Sequence, residues 1–119
     1  MNAKEALKLY FGYDSFKTGQ EEIIHAILSG KDVLAIMPTG SGKSVCYQIP
    51  ATMLCGITIV ISPLISLMQD QVKALNEAGI RAGYINSSLT EAQISKAVAL
   101  SDEVGKMIRS IEQKLTTNN

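Results

Sequence analysis

Residues 37–44 read Met-Pro-Thr-Gly-Ser-Gly-Lys-Ser, and a run of this kind can hold a polyphosphate. Oxygen-rich anions need many donors at close range, and backbone amides supply them only where side chains are absent. Gly40 and Gly42 allow that approach and the positive φ such a loop requires. Lys43 brings an ammonium toward the β and γ phosphates, and Ser44 offers a hydroxyl to Mg²⁺. Thr39 and Ser41 complete the loop between Pro38 and Gly42. The common form of this P-loop, GxxxxGK followed by Ser or Thr, begins with glycine where this chain has Met37. A helix starting at Lys43 adds its own N-terminal amides and dipole to the same anion site.

Few other residues offer chemistry. His25 is the single histidine and has no carboxylate or cysteine at ligand spacing, so it reads as a surface or half-buried helix residue. Cys46 and Cys55 lack CxxC or zinc-type spacing. They read as buried free thiols, Cys46 as a packing residue of the helix after the loop.

The elements around the loop follow from period and punctuation. Residues 3–11 form an amphipathic helix stopped by Gly12, and Thr18 with Glu21 makes a capping box for a second helix ended by Gly30. The continuous apolar runs VLAIM at 33–37 and ITIVIS at 57–62 suit buried parallel strands. A helix opens at Pro63 with Leu64, Leu67, Met68, Val72 and Leu75 on one face, and Gly79 stops it. A weaker strand lies at 81–85, and Thr90 caps a helix through the 90s. Val104, Met107, Ile108, Ile111 and Leu115, three to four apart, predict an amphipathic helix at the end, docked on the core or binding a partner. Alternating strands and helices argue an α/β fold with a parallel sheet.

Composition sets the outer bounds. A chain of 119 residues with 46% hydrophobic and 18% charged residues suits one folded domain. Eleven basic and eleven acidic residues cancel, which argues against a broad electrostatic footprint for nucleic acid but leaves contacts through amides and hydroxyls open. No apolar run is long enough to span a bilayer, and the first residues lack the apolar stretch of a signal peptide, so a cytoplasmic protein without membrane partners is expected.

Four ordered segments, FGYDSFKTGQEEII, GKDVLAIMPTGSGKSVCYQIPA, VISPLISLMQDQV and INSSLT, resemble the N-terminal part of RecQ-type ATP-dependent DNA helicases of superfamily 2. The resemblance covers roughly residues 7–95. In that family the P-loop commonly starts with a residue other than glycine, which accommodates Met37. The resemblance implies a partial first RecA-like ATP-binding domain over residues 1–100, with a parallel sheet of about three strands and flanking helices, and a divergent helical tail over 101–119. It implies ATP with Mg²⁺ as ligand and single-stranded or partly duplex DNA as partner. Gln20 looks like the residue that reads the adenine edge, which suits a carboxamide that donates and accepts at once. Tyr13 and Lys17 match the adenine-flanking positions; Arg is frequent where Lys17 stands, and Lys has no planar group to stack. Tyr13 also reads as a core aromatic. Ser62, Pro63, Leu64, Gln69 and Gln71 match the segment that touches the DNA backbone, while Gln69 and Asp70 also read as a solvated helix face.

Hydrolysis needs a carboxylate at a strand end to hold Mg²⁺ and orient water. Runs 33–37, 57–62 and 81–85 lead instead to Pro38, Pro63 and Asn86. The expectation is therefore a chain truncated before the family's DEAH-type box, a fragment that binds ATP and does not turn it over alone. The alternative is a non-enzymatic ATP-binding or partner-binding module. By analogy with RecA-like sheets, the neighbours of strand 33–37 come from later sequence, so its edge would need the tail or a protein partner as cover.

Overall fold

The computed structural model describes residues 1–38, 40, 42–86, 89–104 and 106–111. They form two compact units, Met1–Leu54 and Cys55–Asn119, each described by itself.

The first unit is helical. In α1 (Ala3–Phe11) the Asn2 side chain accepts from the Glu5 amide at 2.8 Å and the Glu5 carboxylate accepts from the Asn2 amide at 3.3 Å, a reciprocal cap. Gly12, at φ 76°, ends the helix by donating to Lys8 O at 3.0 Å. Helix α2 (Gln20–Leu28) departs from the expected Thr18 cap. Gly19 occupies the cap position at φ 88° with no side-chain cap bond, and Gln20 is the first helical residue. A left-handed turn is open to glycine and costly for other residues, so Gly19 sets the entry. Helix α3 (Lys43–Met53) begins where expected, directly after Gly42. Both α1 and α2 pack on α3, burying Ala3, Ala6, Leu7, Ile24 and Ile49 with Phe16, Val45 and Met53 around them. Each large apolar side chain so buried contributes about 1.5–3 kcal/mol.

The expected strand at 33–37 is absent as a strand. These residues belong to no ladder among the described residues, and Leu34 and Ile36 are 91% and 92% exposed. An apolar run supplies the side chains of a buried strand, but its hydrogen bonds need neighbours, and within this unit the described residues offer none.

The second unit holds a three-stranded parallel sheet in the order β1-β3-β2. Strands β1 (Gly56–Ile61) and β2 (Ala82–Ile85) fall where the apolar runs place them. The third strand corrects the reading of the tail: α5 (Glu91–Val104) is followed by β3 (Lys106–Ile111) rather than by more helix. Ile108 pairs with Thr58 on one side and Ala82 on the other, so β3 is the central strand. Spacing of three to four among Met107, Ile108 and Ile111 fits a helix, yet six residues also suit a strand. Two waiting parallel neighbours decide the matter in favour of the strand. The rest of the expected helix, including Leu115, lies outside the described residues.

Helix α4 (Ile65–Glu77) packs on β2, and α5 packs on β2 and β3. Met68, Val72 and Leu75 form the buried stripe of α4, while Leu64 and Leu67, expected on the same face, are exposed. Leu64 is the N-cap, so Pro63 stands outside the helix that it was expected to open. Thr90 caps α5 as expected, accepting from the Gln93 amide at 3.2 Å while Gln93 Oε1 accepts from the Thr90 amide at 2.9 Å. Asn76, near the end of α4, clasps the start of β2: its Nδ2 donates to Ala82 O at 3.2 Å and its Oδ1 accepts from Ala82 N at 3.0 Å.

Candidate functional site

The candidate phosphate site is built at the N-terminus of α3. Gly40 and Gly42 have φ values of 84° and 78°, the left-handed geometry the loop was expected to need. Gly42 is the N-cap, so Lys43 and Ser44 are the first two residues of the helix. The amides of a first helical turn have no acceptor within their own helix, and together with the dipole they suit an anion. Lys43 is exposed and Ser44 half-buried. Thr39 and Ser41, assigned to the same loop, lie outside the described residues.

Gln20 joins this loop to the segment before α2. Its side chain is 3% exposed. Oε1 accepts from the Lys17 amide at 2.8 Å, and Nε2 donates to Gly42 O at 2.9 Å. Gly42 is fixed by the same contact: a Cβ added there would run into Gln20 Nε2. No local pattern signals this bond, because its partners lie 22 residues apart. Tyr13 is 58% exposed, so it is not the core aromatic of the other reading. Asp14 beside it pairs with Lys8 at 2.8 Å. The hydrogen bond from Lys8, and then its charge, holds the Asp14 carboxyl below the usual range.

Behind the loop, Cys46 is buried, with its Sγ 3.8 Å from Met37 Sδ. Burial pushes its thiol pKa up, which suits the packing role. Cys55, expected to be buried, is exposed. His25 is exposed on α2, and its carbonyl accepts from the Ser29 amide and hydroxyl at 3.0 and 2.7 Å. No group of three His, Cys, Asp or Glu among the described residues could hold a metal ion. Ser44, next to the glycine cradle, carries a hydroxyl oxygen of the kind that hard cations take as ligand.

The segment assigned to DNA lies in the second unit. Ser62 Oγ accepts from Leu64 N at 3.2 Å, shaping the turn into α4. Pro63, Leu64 and Gln69 are exposed, while Ser62 and Gln71 are half-buried. Asp70 is exposed too, so this face carries a carboxylate beside the assigned contacts. No helix among the described residues is long and apolar enough to cross a membrane.

Comparison with known proteins places these features in context. Residues 17–117 match the family described as DEAD/DEAH box helicase. The chain is 58% identical over 91 residues to the ATP-dependent DNA helicase RecQ of Haemophilus influenzae, covering 76% of this chain and 15% of that protein. Identity to the RecQ of Pasteurella multocida is 52% over 118 residues, 98% of this chain and 19% of that protein. For the RecQ of Bacillus subtilis it is 50% over 117 residues, 97% and 20%. The chain thus spans a fifth or less of the length of these relatives. The similarity runs past residue 100, where a departure was expected, and takes in β3.

Proposed function

We propose that this chain, which belongs to the DEAD/DEAH box helicase family and has RecQ-type DNA helicases as its relatives, binds ATP in its first unit and DNA in its second. The family implies a RecA-like α/β fold. The observation that carries the ATP reading is the Gln20 bridge, which ties a buried carboxamide to the carbonyl of the P-loop glycine.

In this reading Gly40, Gly42 and the first amides of α3 cradle the phosphates, with Thr39 and Ser41 completing the loop. Lys43 sets its ammonium against the β and γ phosphates. Ser44 would hold Mg²⁺, which would supply neutralisation of the phosphate charge there. Gln20 reads the adenine edge, and Tyr13 and Lys17 flank the ring. Both ends of the carboxamide are already engaged. Adenine would therefore meet a carboxamide that already has partners.

Single-stranded or partly duplex DNA would meet Ser62, Pro63, Leu64, Gln69 and Gln71, with first-turn amides of α4 facing a phosphate. The ATP-driven unwinding named for the relatives asks more than binding. A strand-end carboxylate is needed to orient water, and β1 and β2 lead to Ser62 and Asn86. With β3 a strand, Glu112 follows it in sequence. It is a candidate for that carboxylate, although Lys106 and Arg109 make β3 less apolar than such strands usually are. The proposal is that residues 1–119 bind ATP without turnover.

Calorimetric titration with Mg-ATP tests the binding. Lys43→Ala should weaken it more than Lys17→Ala, and equal affinity of wild type and Lys43→Ala would remove the P-loop assignment. A DNA-stimulated ATPase assay tests the rest. Turnover abolished by Lys43→Ala would overturn the claim of binding alone, and Glu112→Gln would then show whether Glu112 is the carboxylate used.

A further inference from the structure

Gln20 reaches Gly42 from a turn, and one glycine makes that turn possible. Gln20 N donates to Lys17 O at 3.1 Å, and Gln20 Oε1 accepts from Lys17 N at 2.8 Å. Residues 17–20 are thus closed twice, once through the backbone and once through the carboxamide itself. Gly19 holds the third place of this turn at φ 88° and ψ -20°, close to the roughly +80° and 0° that a type II turn requires there. It is also the N-cap of α2, so the turn runs directly into the helix. A Cβ on Gly19 would meet nothing within 4 Å, whereas one on Gly42 would run into Gln20 Nε2. Space therefore does not demand glycine at 19. Backbone conformation does, because an L side chain is strained at positive φ. If the turn relaxes, Oε1 loses the Lys17 amide, and Nε2 is no longer held 2.9 Å from Gly42 O.

We propose that Gly19 is a positioning residue for adenine recognition, acting through Gln20 by holding the turn that delivers the carboxamide. The proposal rests on the reading of Gln20 at the adenine edge and names the residue that keeps it there. The 119-residue chain can be titrated with a fluorescent ATP derivative and competed with Mg-ATP or Mg-GTP, which share the triphosphate but differ at the base edge. Gly19→Val should weaken ATP by about fivefold, through the smaller share of molecules with the turn closed, and weaken GTP less. Gly19→Asn should stay within about twofold of wild type, because asparagine tolerates the left-handed region. The double variant Gly19→Val with Gln20→Ala should bind ATP no more weakly than Gln20→Ala alone. A role confined to capping α2 would instead make the two losses multiply. Where circular dichroism shows that Gly19→Val does not fold, Gly19→Ala takes its place with the same order expected. Unchanged ATP affinity in the folded variant, equal losses for ATP and GTP, multiplied losses in the double variant, or an asparagine variant as weak as the valine one overturns the proposal. Gln20→Ala keeps the two readings apart. If it leaves ATP affinity unchanged, the base reading of Gln20 falls and the role of Gly19 with it. If it weakens ATP while Gly19→Val does not, only the role of Gly19 falls.

Discussion

Gln20 Nε2 donates to the carbonyl of Gly42 at 2.9 Å, across 22 residues of sequence. With Lys17 N on its other end, the carboxamide closes a chain of polar contacts from the segment before α2 to the first turn of α3. The glycine loop before α3 and the backbone before α2 therefore share one buried group.

That relationship makes the two residues energetically inseparable. Gln20→Ala strips partners from the Lys17 amide and the Gly42 carbonyl and should cost about 1–3 kcal/mol. Gly42→Ala meets Gln20 Nε2 and also a positive φ, a cost of about 1 kcal/mol or more. The double variant loses the bond once and removes the clash. Its cost should therefore fall short of the sum of the single variants by at least about 0.5 kcal/mol. Urea denaturation of the four proteins measures this, and strict additivity would mean that the two side chains do not meet in solution.

Asn76 offers a second test, in the other unit. It mimics a strand partner for Ala82, donating to its carbonyl and accepting from its amide. Asn76→Ala should lower stability by about 1–2 kcal/mol and speed hydrogen exchange at the Ala82 amide. Asn76→Asp keeps the acceptor for that amide and loses only the donor, so Ala82 exchange should stay closer to wild type. Equal exchange in the two variants would show that the clasp does not hold β2.

How much of this was written locally explains which expectations held. Gly40 and Gly42 adopt the positive φ expected of the loop, and the Thr90–Gln93 cap lies within four residues. Such features depend on near neighbours, and a single sequence displays them. Strand identity does not work that way. VLAIM at 33–37 has the composition of a buried strand but no ladder in its unit, while KMIRSI at 106–111 has a helix-like spacing and becomes the central strand. Both outcomes turn on which backbone edges lie alongside, and composition carries no record of that. The Gln20 bridge escaped for the same reason. Gln20 was singled out by resemblance for a base, and its bond to Gly42 is a long-range contact with no periodic signature.

The segment around Leu34 and Ile36 gives the third test. These side chains are almost fully exposed, so replacing them removes little packing. Leu34→Asp and Ile36→Asp should shift unfolding stability by no more than about 0.5 kcal/mol. Ile49→Ala, a change in a fully buried residue of the three-helix core, should cost about 2–5 kcal/mol. Self-association should respond in the opposite order, because exposed apolar backbone edges template pairing with another chain. The two aspartate variants should scatter less light than wild type at equal concentration, while Ile49→Ala should scatter more as its unfolded fraction rises. If either aspartate variant loses as much stability as Ile49→Ala, the segment is packed in solution and residues 33–37 belong to a core.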